Sequence, residues 1–139
     1  MPKIRHFAIM CENPAQLAQF YTEVFEMHEV WRQGPHVYMS DGTLNVALLQ
    51  TRDPSRRGIN HFGFQIEDME EIRRRLEAAE VDPPYAKPGD GRYAELGAID
   101  PEGNRFDLSL AGWDMEHTKA DMTEDEWNAL HPGGVGAGG

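Results

Sequence analysis

A short β-like run, Ile4-Arg5-His6-Phe7-Ala8-Ile9, opens the chain and gives way to an amphipathic stretch with Leu17, Tyr21, Val24 and Phe25 on one face. The same change of period recurs further on. Ile59-Asn60-His61-Phe62-Gly63-Phe64 precedes a second amphipathic stretch carrying Ile72, Leu76 and Ala79. The two copies align without a gap, so that Glu12 falls on Glu67, Asn13 on Asp68 and Leu17 on Ile72. Asn13 and Asp68 are each suited to cap the helix that follows, because a short side-chain oxygen can accept from the first free backbone N–H groups. Each copy therefore predicts a strand and then a helix.

Further strands are predicted at residues 29–32, 36–40 and 44–50 in the first copy, and at 93–99 and 105–110 in the second. The last two are joined by Asp100-Pro101-Glu102-Gly103-Asn104, a strong turn signal, with Ser40-Asp41-Gly42 as a weaker counterpart. The pattern reads as βαβββ written twice, in modules 3–52 and 58–111. The polar segment 53–58 is too short to separate independent domains, so residues 1–139 are expected to form one domain. Beyond it, Thr123-Glu124-Asp125-Glu126 has the form of a capping box, and Trp127 and Leu130 supply a short apolar stripe. A helical extension is expected over 112–131, followed by a flexible glycine-rich tail over 132–139.

Composition narrows the partners. Lys and Arg total 13 against 24 Asp and Glu, a net charge of -11 that repels phosphate backbones and anionic membrane surfaces. The one basic run, Arg73-Arg74-Arg75, is interleaved with Glu70, Glu71 and Glu77 at helical spacing, as on a solvated, ion-paired face. No apolar run approaches the roughly 18 residues of a membrane span, and MPKIRHF lacks the features of a secretory signal. Nucleic acid and membrane are thus disfavoured as partners, and a cytoplasmic location is the expectation. Cys11 is the sole cysteine, so metal ligation would have to use His, carboxylate or carbonyl donors.

Paired βαβββ modules with a His on the first strand of each, closing on DPEGNRFDL, resemble the vicinal oxygen chelate superfamily, which includes glyoxalase I, extradiol dioxygenases, methylmalonyl-CoA epimerase and the fosfomycin and bleomycin resistance proteins. The resemblance covers residues 3 to 111 and implies an α+β fold in which the modules curl one mixed sheet into a cup. It also implies a small-molecule substrate, a homodimer and one divalent metal ion held by His6, His61 and Asp107, with Asp where the family usually has Glu. Two imidazoles and a carboxylate leave coordination positions open. Fe(II) or Mn(II) is favoured, and Zn, Ni or Co would also suit such donors.

Members with four ligands carry another on the last strand of the first module, where this chain offers Val46 or Leu48, neither of which binds a metal; Gln50 would serve only after a further register slip. That points toward members with three ligands. A phosphonate pocket needs several cations, and the 87–93 loop supplies only Lys87 and Arg92. Extradiol-dioxygenase-like oxygenation of an aromatic or vicinal-oxygen substrate is therefore the first expectation, with His36, Tyr38 and Tyr93 as candidates for acid–base work. The alternatives are a glyoxalase-like lyase or isomerase and a metal-free resistance protein that sequesters a small molecule. Phe7, Phe62, Phe64 and Phe106 fall on the strand faces opposite the proposed ligands and are expected to pack under the sheet, while His28, His117 and His131 read as surface residues.

Overall fold

The computed structural model describes residues 1–87 and 96–110. The first module is β1 (Lys3–Cys11), α1 (Pro14–Phe25), β2 (His28–Gln33), β3 (His36–Ser40) and β4 (Asn45–Gln50). The second is β5 (Gly58–Gln65), α2 (Met69–Ala78), β6 (Tyr85–Ala86), β7 (Leu96–Ile99) and β8 (Arg105–Ser109). All eight strands form one mixed sheet in the order β2-β3-β4-β1-β5-β8-β7-β6. The expected extension 112–131 and tail 132–139 lie outside the described residues, as does the start of the strand expected at 93. Two-residue β6 was not foreseen, because Pro83 and Pro84 immediately before it mark a loop. Among the described residues no helix is long and apolar enough to cross a membrane.

The internal repeat becomes a local twofold arrangement. β1 pairs with β4 in parallel, and β5 pairs with β8 in parallel. The modules meet where β1 and β5 run antiparallel, with Phe7 opposite its repeat partner Phe62. Register shifts flank this pair on both sides, leaving Arg5 in one copy and Asn60 in the other as the extra residues. Even these irregularities repeat, since Arg5 and Asn60 are aligned positions.

Local chemistry sets the ends of the elements as anticipated. The Asn13 side chain accepts from Gln16 N at 3.1 Å and that of Asp68 from Glu71 N at 3.1 Å. Asp100 Oδ1 accepts from the backbone N–H groups of Glu102 and Asn104, closing the turn into β8, where Gly103 adopts φ +90°. On α2, Glu71 pairs with both Arg74 and Arg75, and Glu70 with Arg73, so the basic run is an ion-paired helix face.

Both helices lie on one face of the sheet. Against α1 pack Cys11, Val37, Met39 and Leu48, with Leu17, Ala18 and Tyr21 contributed by the helix. Near α2, Ile66, Leu96 and Leu108 are joined by Phe64, Ile72 and Phe106. Phe62, Phe64 and Phe106 contact one another here, on the face expected for them. Val24 and Phe25 differ from expectation: they are 54% and 64% exposed. The last turn closes through Glu26 in the left-handed region, and Met27 joins the cluster on α1 instead.

Leu48 is fully buried between α1 and the sheet. Leu48→Ala should therefore cost about 2–5 kcal/mol through lost burial and a residual cavity. Urea unfolding checks this, and a loss below 0.5 kcal/mol, roughly that of a surface substitution, would contradict the packing described.

Candidate metal centre

The twofold pairing aims two histidines at one point. With Phe7 opposite Phe62, alternation turns His6 and His61 to the other, helix-free face. His6 stands opposite Gly63 and His61 opposite Ala8. Those two partners are themselves repeat-related, and both are small enough to leave space for imidazoles above them. The Nε2 atoms of His6 and His61 approach to 3.5 Å.

The carboxylate arrives from the next strand. Gly63 is paired on its far side with Asp107 of β8, so His6, Gly63 and Asp107 form a row across three strands with no side chain in the middle. Asp107 Oδ2 lies 3.1 Å from His61 Nε2 and 3.8 Å from His6 Nε2. The side chains of all three are 9% exposed or less. These residues form a group that could hold a metal ion. A triangle with those three sides has a circumradius of about 2.0 Å, so a point just above it lies about 2.1–2.2 Å from every donor, the length of ordinary metal–imidazole and metal–carboxylate bonds. The donor set and its spacing thus fit a divalent ion.

The protonation of these groups suits ligation. Burial drives the His6 imidazole down to about 3, against an opposing pull from Asp107 and with added push from His61 and Lys87. His6 is therefore neutral at ordinary pH. Burial pushes the Asp107 carboxyl upward, but its hydrogen bond and charge interaction with His61, together with Lys87, leave it below the usual carboxylate range. His61 Nδ1 lies 2.7 Å from Asn60 Oδ1. With Nδ1–H donating there, Nε2 presents its lone pair to the triangle. Asn60 owes that position to the bulge it occupies.

One participant was not anticipated as part of this centre. Lys87 Nζ sits 2.8 Å from Asp107 Oδ1, and its side chain is only 17% exposed. The sequence marks Lys87 merely as a loop cation, and no spacing rule links it to Asp107. Asn45, next to His6 on β4, is fully buried, and neither amide atom has a hydrogen-bond partner among the described residues.

The remaining candidates occupy other places. Tyr38 is buried on the triad's side of the sheet with Ala8 and Ala47, stacked on Trp31 at 4.7 Å between centroids. Burial raises its phenol to about 12. By strand order β4 and β1 separate it from β5 and His61. His36 begins β3, and its Nδ1 accepts from Gln50 N at 3.1 Å. Tyr93 lies outside the described residues. The position equivalent to Asp107 in the first module is neither Val46 nor Leu48 but Ala47: Phe7 pairs with Val46 as Phe62 pairs with Phe106, which places Ala47 in register with Asp107. Val46 and Leu48 face α1.

The chain belongs to the glyoxalase/bleomycin resistance protein/dioxygenase superfamily, whose family model matches residues 3–108. Similar solved structures share its fold. A methylmalonyl-CoA epimerase in complex with methylmalonyl-CoA and NH4+ superposes with a TM-score of 0.60 at 16% identity, covering 81% of this chain and 97% of that one. A glyoxalase/bleomycin resistance protein/dioxygenase superfamily member from Vibrio splendidus 12B01 gives 0.55 at 19% identity, covering 78% and 97%. A hypothetical protein from Bacillus halodurans C-125 gives 0.61 at 16%, covering 77% and 92%. No curated protein matches the sequence.

The buried, neutral His6 makes the metal-free protein sensitive to acid. Unfolded, its imidazole takes up a proton near about 6.5; folded, it does so only near about 3. The unfolded state therefore binds more protons throughout that window, and stability falls as pH drops through it. The lowered Asp107 carboxyl acts with the same sign at lower pH, its contribution being lost on acidification. Urea unfolding of chelator-treated protein should show a loss of about 1–2 kcal/mol between about pH 7 and about pH 5, flattened in His6→Gln. An unchanged slope in that variant would contradict the burial of a neutral His6.

Proposed function

We propose that His6, His61 and Asp107 bind one divalent metal ion, Fe(II) or Mn(II) in preference to Zn, Ni or Co, and that the protein is a metal-dependent enzyme. Its substrate is a small molecule that chelates the ion through adjacent oxygens, and extradiol-dioxygenase-like oxygenation is the favoured reaction. The observation that carries this reading is the triangle formed by two Nε2 atoms and one Oδ2 at metal-ligand spacing. Two histidines and one carboxylate on one face are the donor set of non-haem Fe(II) oxygenases, which keep open positions for substrate and oxygen. Ala47 at the symmetry-related position supports a centre with three protein ligands. The isomerase or lyase reading asks for a fourth ligand at that place.

An ion bound here would supply Lewis-acid polarisation of the substrate oxygens and, as Fe(II), electrons for reaction with O2. The chain's own residues do the rest. His6 offers a neutral lone pair, Asn60 fixes the His61 ring through Nδ1, and Asp107 contributes the one negative charge. Small Gly63 and Ala8 keep the space above the sheet clear. His36, Tyr38 and Tyr93 stay the candidates for proton handling, although β4 and β1 separate Tyr38 from β5 and its raised phenol restricts it to donating a hydrogen bond. A homodimer belongs to the same proposal.

Elemental analysis of protein purified without chelator or affinity-metal resin tests it. Near-stoichiometric iron or manganese is expected, falling at least tenfold in both His61→Ala and Asp107→Ala while circular dichroism is retained. Catechol turnover under oxygen should fall with it. Wild-type protein that neither carries nor takes up metal would overturn the triad and leave small-molecule sequestration as the working function.

A further inference from the structure

Lys87 lies beside the proposed metal centre and has no part in the donor set. It follows β6 directly, and it falls on the same strand face as Tyr85 by the period of two. Tyr85 is paired with Gly97, which is paired in turn with Asp107. The Tyr85 ring lies over Gly97, so closely that a Cβ there would meet its ring atoms at 2.8–2.9 Å. A bare glycine thus seats the tyrosine at the rim, and the Lys87 side chain reaches inward to Asp107 Oδ1 at 2.8 Å. Lysine is seldom buried to this degree without a partner that requires it.

The consequence is a division of the carboxylate. Oδ1 is held by the ammonium, and Oδ2 faces the two imidazoles. Asp107 is therefore left to serve an ion through one oxygen. Lys87 also cancels the only negative charge of the donor set. Imidazoles that ligate a metal do so as neutral donors, so with one carboxylate and one ammonium the protein groups would sum to zero and a divalent ion would bring the buried centre to a full double positive charge. Buried charge is costly unless it is paired, and among the described residues Asp107 is the one carboxylate of this group, so the ligand is the source of the missing negative charge.

We infer that Lys87 is the specificity-determining residue of this site, weakening its hold on the metal and selecting chelators that carry negative charge on adjacent oxygens, such as catecholates, enediolates and 2-hydroxycarboxylates, over neutral ones. This rests on the metal-site reading above. A single charge produces both effects, with opposite signs: removing it tightens the metal and loosens the anion. A lysine that merely holds β6 and Asp107 in place would weaken both when removed.

The test compares wild-type protein with Lys87→Met, Lys87→Gln and Lys87→Arg. Co(II) binding is followed by calorimetry, and the Co(II)-loaded proteins are then titrated with oxalate and with neutral hydroxyacetone, using the visible cobalt spectrum. Lys87→Gln keeps a hydrogen-bond donor and loses the charge; Lys87→Arg keeps the charge. In both neutral variants Co(II) should bind at least fivefold more tightly and oxalate at least tenfold more weakly. Hydroxyacetone should change less than twofold, and Lys87→Arg should stay within threefold of wild type throughout. Oxalate affinity unchanged in both neutral variants, or Co(II) affinity lowered in them, would overturn the inference while leaving the metal site intact. A wild-type protein that binds no Co(II) would instead remove the metal-site reading and this inference with it.

Discussion

The antiparallel pairing of β1 with β5, centred on Phe7 opposite Phe62, is the constraint on which the rest depends. Pairing two repeat-related residues makes the modules equivalent about that point, and every other match follows. His6 and His61 each precede a central phenylalanine by one residue, so alternation gives them the same face and the twofold brings them together. A slip of one residue would turn one histidine toward the helices. The bulges at Arg5 and Asn60 bracket the pair, and Asn60 is thereby placed against His61 Nδ1.

Holding such groups out of water has an electrostatic cost that the site distributes. His6 is fully buried and remains neutral because burial outweighs the pull of Asp107. Asp107 is nearly as buried and remains ionised because His61 and Lys87 outweigh its own burial. Asn45 stands beside His6 with both amide atoms unsatisfied among the described residues, at a cost on the order of 1–3 kcal/mol. Polar groups kept in this condition are typical of places arranged for a ligand rather than for stability.

Much of this was legible in the chain. Because the repeat is gapless from Ile4 to Leu17, the equivalence of His6 and His61 could be read before any pairing was known. Asp107 could be read because the Asp100 to Asn104 turn fixes where β8 begins. The position facing Asp107 across the twofold could not be read, since β4 has no comparably sharp turn before it and one residue of register separates Ala47 from Val46 or Leu48. Lys87 was hidden for a different reason. A long side chain leaving a two-residue edge strand crosses β7 to reach β8, and neither periodicity nor propensity records such a reach. On α1 the apolar pattern ran past the packed face, because Glu26 turns the chain and Met27 fills the space that Val24 and Phe25 leave.

Anomalous diffraction from crystals grown with Co(II) would locate the ion itself. One peak per chain is expected, about 2.0–2.2 Å from His6 Nε2, His61 Nε2 and Asp107 Oδ2. Ordered density for those three side chains with no peak between them, or a peak held only by exposed carboxylates, would contradict it.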